Sequence, residues 1–135
     1  MTGLSIKKVS GMANNKTLVC DTNVLIYFFA GNSNAGDIIT KYNIAVSSMT
    51  SIELQANSRQ TVKERDIIKD FLGGVTLVET NPFINELAIK FRLTYNLLVP
   101  DAIIAATAKY LGASLVTAEA SFFKIKEIEI IPFSK

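Results

Sequence analysis

The sequence predicts one α/β domain built on a parallel sheet with helices on both faces. Two observations predict it. Short runs that are apolar throughout recur along the chain, as expected of strands covered on both sides. Between them lie stretches with apolar residues at helical spacing, punctuated by Gly, Asn and Pro, and strands that alternate with helices call for parallel pairing. At 135 residues, 49% hydrophobic and 19% charged, the chain can bury one core and is too apolar to be disordered.

Folded structure is expected from Thr17, after residues 1–16 that read as a flexible leader in which Met12 is an alternative start. Residues 17–135 form the single domain. Thr17-Leu-Val-Cys-Asp21 is the first strand. A short helix over 24–29 follows, closed by Gly31 and Asn32, and a second helical piece spans 36–42. Strand two is 44–47. The next helix covers 50–57, with Thr50 or Ser51 as N-cap and Glu53 in its first turns.

From Thr61, apolar residues at 62, 67, 68, 71 and 72 make a helical stripe that stops at Gly73-Gly74. Strand three is 75–78. Asn81-Pro82 places a cap and an N1 proline before a helix with apolar residues at 84, 87, 88, 91 and 95. Pro100 starts another helix, apolar nearly all round over 102–111 and therefore buried, and Gly112 ends it. Residues 114–117 and 129–131 are strands four and five.

Absences narrow the chemistry. There is no histidine, and Cys20 is the only cysteine, which excludes the usual structural zinc sites, His-based triads and an internal disulfide. Cys20 itself lies in an apolar run and reads as a buried, inert thiol. The longest apolar run, residues 24–30, is too short to cross a bilayer, so no membrane partner is expected and the cytoplasm is the default location. The net charge of +2, from 14 basic and 12 acidic residues, permits nucleic acid without diagnosing it. If acids gather in one cleft, the remaining surface is more basic than that total suggests.

Ligands of open parallel sheets bind at the carboxyl ends of the strands. Asp21 closes strand one, Glu53 lies in the helix after strand two, Asp101 opens the buried helix before strand four, and Glu119 follows strand four. Strands one and four should adjoin where strand order reverses, which lets these four side chains converge. The other eight acids fall on polar helix faces or beside edge strands and read as solvated. Two charges about 5 Å apart repel by roughly 3 kcal/mol at an effective dielectric near 20, so such a cluster must hold protons, recruit basic groups or bind cations. Oxygen-only ligation favours Mg²⁺ or Mn²⁺, and an ion so held suits phosphodiester hydrolysis.

Each acid also has a plainer reading. Asp21 could only cap the helix that follows, Asp101 could only face a helix dipole, Glu53 could be solvated, and Glu119 could sit in a turn.

Asp21-Thr22-Asn23-Val24-Leu25-Ile26, the 47–54 segment ending in Ile52-Glu53-Leu54, Pro100-Asp101-Ala102-Ile103-Ile104-Ala105-Ala106-Thr107-Ala108, and Leu115-Val116-Thr117-Ala118-Glu119 together resemble the PIN domain family. Order and spacing agree from about Leu18 to Pro132. The resemblance implies a three-layer α/β/α sandwich with a parallel, roughly five-stranded sheet, and a Mg²⁺- or Mn²⁺-dependent endoribonuclease acting on RNA. Stand-alone domains of this length look like the VapC-type toxins of toxin–antitoxin pairs, which implies a cognate antitoxin and a homodimer. Carried over by position, Asp21 and Asp101 are the principal metal ligands, Glu53 completes the site or binds through water, and Asn23 and Thr117 orient ligands. The family usually has Asp where this chain has Glu119, and often Asp or His near Ser121, so the fourth acid is a departure. Phe122 and Phe123 match the family's aromatic there and read as core.

Two other functions remain open at this stage. A non-catalytic RNA- or protein-binding module would keep the fold and lose the fourth ligand. A phosphohydrolase would use Asp21 as nucleophile, although haloacid-dehalogenase-like enzymes carry a second Asp where this chain has Asn23.

Overall fold

The structure is a computed structural model that describes residues 16–135. Most of the expected leader, Met12 included, lies outside the described residues. Five strands form one sheet in the order β3-β2-β1-β4-β5. They are β1 (Thr17–Cys20), β2 (Asn43–Ser47), β3 (Thr76–Val78), β4 (Ser114–Thr117) and β5 (Ile130–Pro132). Every adjacent pair is parallel. The expected adjacency of strands one and four is present, and strand order reverses there.

Register turns the apolar runs into two faces. Val19 stands opposite Ala45 and Leu115, and these side chains point to one side of the sheet. Leu18, Cys20, Val46 and Val116, one residue out of step, point to the other. Two further helices, α5 (Pro82–Tyr95) and α6 (Val99–Leu111), cover the first face. There Ile84 and Phe91 of α5 are fully buried beside Ala102, Ala105, Ala106 and Ala108 of α6, whose short side chains bring that helix close to the strands. Four helices cover the second face: α1 (Thr22–Phe29), α2 (Ser33–Lys41), α3 (Ser48–Gln55) and α4 (Val62–Gly73). Fully burying a Leu or Phe side chain contributes about 1.5–3 kcal/mol, so both layers are needed to hold the sheet.

Helix starts are where sequence and structure differ most. Helix α1 begins at Thr22 because Asp21 caps it. Asn32, expected to end α1, instead caps α2 by accepting from Ala35 N at 2.9 Å, while Gly31 makes the turn at φ 90°. Ser47, not Thr50 or Ser51, caps α3, accepting from Met49 N at 3.1 Å. Thr50 is thereby freed for another role. Helix α6 starts at Val99, one residue before Pro100. Elsewhere the local signals hold. Thr61 and Glu64 form a reciprocal capping box on α4, and Gly112 closes α6 at φ 65°. Cys20 is fully buried, and burial pushes its thiol up to about 12. Of the eight acids read as solvated, Glu127 is half-buried, accepting from Tyr95 Oη, and Glu129 is held by Ser114 and Lys16.

Candidate metal centre

The carboxyl edge of β1 and β4 is where the acids gather. Asp21 leaves β1 at φ −62°, ψ 152° and is only 4% exposed. Its Oδ1 accepts from Thr22 N at 2.8 Å, and its Oδ2 accepts from the Thr117 hydroxyl at 2.8 Å. The capping reading of Asp21 is therefore correct without excluding the other, since each carboxylate oxygen keeps a further lone pair. Burial raises its pKa, the bonds from Thr117 and Thr22 resist that rise, and the charges of Glu119 and Glu53 add to it.

Asp101 sits in the first turn of α6 and is partly buried. Its pKa is pushed up to about 7 by burial, then by the charge of Glu119, by a hydrogen bond shared with Glu119, and by the charges of Asp21 and Glu53. The Asp101 carboxyl is thus harder to ionise than an isolated one, with burial first and Glu119 second among the causes. Glu119 is further tied down. Its backbone N donates to Thr117 Oγ1 at 3.0 Å, and Ser121 Oγ donates to its Oε2 at 2.8 Å. The Thr117 hydroxyl thus links Asp21 to the turn that carries Glu119.

Glu53 reaches in from α3. It is exposed, and its Oε1 accepts from the Thr22 hydroxyl at 2.6 Å. That hydroxyl also lies 2.9 Å from Thr50 Oγ1, which is fully buried. Beside Glu53, between α1 and α4, a groove of about 370 Å³ is walled by Ile26, Phe29, Ile67 and Ile68.

Asp21 and Asp101 thus each feel the charges of Glu119 and Glu53. Among the described residues, no three Asp, Glu or Cys side chains stand in the arrangement of a ready-made cage. Mg²⁺ does not require one, because it is usually held by one or two carboxylates and keeps several waters. The donor chemistry fits such an ion. Every donor among these acids is oxygen, and a cation would offset the charge repulsion that helps raise the Asp101 pKa. An ion that binds only the folded state at 100 times its Kd adds about 2.7 kcal/mol of stability. Thermal melting is therefore expected to shift upward with Mn²⁺ added to chelator-treated protein. A flat melting curve up to millimolar Mn²⁺ would count against this site.

Asn23, expected to orient a ligand, is exposed on α1, and no hydrogen bond from its side chain to the acids is seen among the described residues. Phe122 is fully buried, but Phe123 is 47% exposed, so only the first of the two is core. The reason is the single 3-10 turn at Ala120–Phe122, which directs successive residues to different sides. Thr22, Thr50 and Ser121 were not among the expected site residues, and all three bear on the acids. The available signal was two threonines at positions that face the core, where a hydroxyl needs a partner.

A family model described as PIN domain matches residues 18–128. No curated protein matches. Among solved structures, a toxin–antitoxin complex from Klebsiella pneumoniae contains a chain 26% identical, with a TM-score of 0.76 over 84% of this chain and 95% of that one. A chain of VapBC2 from Rickettsia felis, bound to a DNA fragment from their promoter, is 19% identical, with a TM-score of 0.74 over 87% of this chain and 99% of that one. VapBC-1 from nontypeable Haemophilus influenzae gives 20% identity and a TM-score of 0.71, over 86% and 97%.

Proposed function

Because the chain belongs to the PIN domain family, its family model spanning residues 18–128, we propose that it is a divalent-metal-dependent endoribonuclease, the toxin of a VapBC-type toxin–antitoxin pair. The observation that carries this reading is the placement of Asp21 and Glu119 at the carboxyl ends of the adjacent strands β1 and β4, joined through the Thr117 hydroxyl. The Asp101 pKa, raised first by burial and then by Glu119, Asp21 and Glu53, is consistent with that placement. Asp21 and Asp101 are the principal ligands for Mg²⁺ or Mn²⁺, and Glu53 and Glu119 complete the set. Bound there, a divalent ion supplies a Lewis acid for phosphodiester hydrolysis. The chain's own residues do the positioning. Thr117 fixes the Asp21 carboxylate, Ser121 holds Glu119, and the buried threonine pair holds Glu53.

The reading includes partners. RNA is the substrate, and the surface away from the acids carries the positive balance of a +2 chain, suited to flanking phosphates. An antitoxin that silences the enzyme is supported by the toxin–antitoxin complexes among the similar structures. A basic side chain inserted from such a partner would satisfy the acids by charge-assisted hydrogen bonds. A homodimer and a cytoplasmic location belong to the same proposal. No described helix is long and apolar enough to cross a membrane.

Purified protein is expected to cut RNA with Mn²⁺ or Mg²⁺, to stop when EDTA is added, and to stop again when the product of a small neighbouring gene is supplied. End-mapped cleavage of total RNA reads all three. Cleavage that persists in EDTA would remove the metal from the mechanism. Chelator-insensitive RNA binding with no cleavage under any divalent ion would favour a binding module instead.

A further inference from the structure

We propose that Thr22 is a positioning residue for Glu53, held in place by Thr50, so that one residue ties two of the acids to each other. The inference rests on the metal-site reading above.

The geometry of the hydroxyls carries it. A threonine hydroxyl has one proton to donate and two lone pairs. The Thr22 hydroxyl lies 2.6 Å from Glu53 Oε1 and 2.9 Å from Thr50 Oγ1. Glu53 as a carboxylate can only accept, so the Thr22 proton points to Glu53. The Thr50 hydroxyl, fully buried with Thr22 as its partner, then donates to Thr22 Oγ1. The bonds run one way, from Thr50 to Thr22 to Glu53. At the same residue the Thr22 backbone N donates to Asp21 Oδ1 at 2.8 Å. Thr22 thus holds a carboxylate of β1's end through its main chain and a carboxylate of α3 through its side chain.

Glu53 needs this. It is exposed, and a long flexible side chain on a solvent-facing helix samples several rotamers unless a bond selects one. Thr22 is 9% exposed and sits at the first position of α1. The N-terminal shift of α3 described above is part of the device. With Ser47 serving as the cap, Thr50 lies inside the helix and is free to face Thr22.

The test is Mn²⁺ affinity of the purified chain, measured by titration calorimetry, with melting in EDTA as the check on folding. Thr22→Val keeps the shape and removes the hydroxyl, and Thr22→Ser restores it. Loss of a group hydrogen-bonded to a metal ligand typically weakens metal binding by about 10–100-fold, and Thr22→Val is expected in that range while Thr22→Ser stays near the parent. Thr50→Val should weaken binding less, and the Thr22→Val/Thr50→Val double variant no more than Thr22→Val alone, because the two act in series. In a Glu53→Ala background, Thr22→Val should have no effect, which a merely structural threonine would not show. Unchanged affinity in Thr22→Val, or equal loss in Thr22→Ser, overturns the positioning role and leaves the metal site standing. A parent protein that binds no Mn²⁺ overturns the site itself, and the positioning role with it.

Discussion

Asp101→Asn is expected to lower RNA cleavage by more than about 100-fold, beyond the loss typical for partners of a metal ligand, and at the same time to raise the melting temperature of the metal-free protein at neutral pH. The two effects have one cause. Asp101 carries a pKa of about 7 in the folded chain against an ordinary value of 3.8, through burial and its carboxylate neighbours. The folded state therefore holds a proton that the unfolded chain releases. Stability from this group is complete below about pH 4 and is lost as pH rises through about 7, where the folded state must accept the charge.

Asn cannot ionise, so the variant escapes that cost while losing a ligand. For a chain of this size a gain of about 4 °C accompanies each 1 kcal/mol relieved. Asp101 is only partly buried, and solvent screening makes the gain smaller than the shift alone implies. The measurement is melting temperature against pH in EDTA for parent and variant, beside cleavage rates in Mn²⁺. A parent whose stability does not fall between pH 4 and 8, or a variant that melts lower at pH 8, would show that the acids do not strain one another. A variant that still cleaves at the parent rate would remove Asp101 from the site.

Phe122→Ala is expected to cost about 3–5 kcal/mol, the range for deleting a fully buried aromatic side chain. Phe122 is 0% exposed and packs in the core cluster with Phe91, Leu97 and Ile125. Domains of ordinary stability have about 5–15 kcal/mol to lose, so the variant should give up a large share of its margin. Phe123→Ala is the internal control. Its side chain is 47% exposed, and a change there should stay within about 0.5 kcal/mol. Urea unfolding of the two variants side by side decides the matter, and equal midpoints would contradict the placement of the turn. The site should feel the first substitution as well, because the Ala120–Phe122 turn follows Glu119 directly and contains Ser121.

The placement of the candidate site residues was legible in large part because they hang on strand ends. Asp21, Asp101 and Glu119 each stand within a few residues of a boundary that the apolar runs mark clearly, and the adjacency of β1 and β4 brings them together. Thr117 was legible for the same reason, and its hydroxyl does reach Asp21. Asn23 and Phe123 were placed by position in a motif, and position does not say which way a side chain faces. Helix starts were misplaced where two candidate caps stood close together, as with Ser47 and Thr50 before α3. The choice between them depends on where the preceding strand leaves the sheet.

Strand and helix identity and the two-faced core were determined by the sequence alone, because unbroken apolar runs and a period of 3.6 residues are properties of neighbouring residues, and the family was legible in its motifs. The hydroxyl bonds that hold the acids were decided only in three dimensions. Thr22 meets Thr50 across 28 residues and Glu53 across 31, and Thr117 meets Asp21 across 96. A hydrogen bond tolerates only a few tenths of an ångström in length, and its partners are brought to that distance by the packing of helices on the sheet, which no local pattern records.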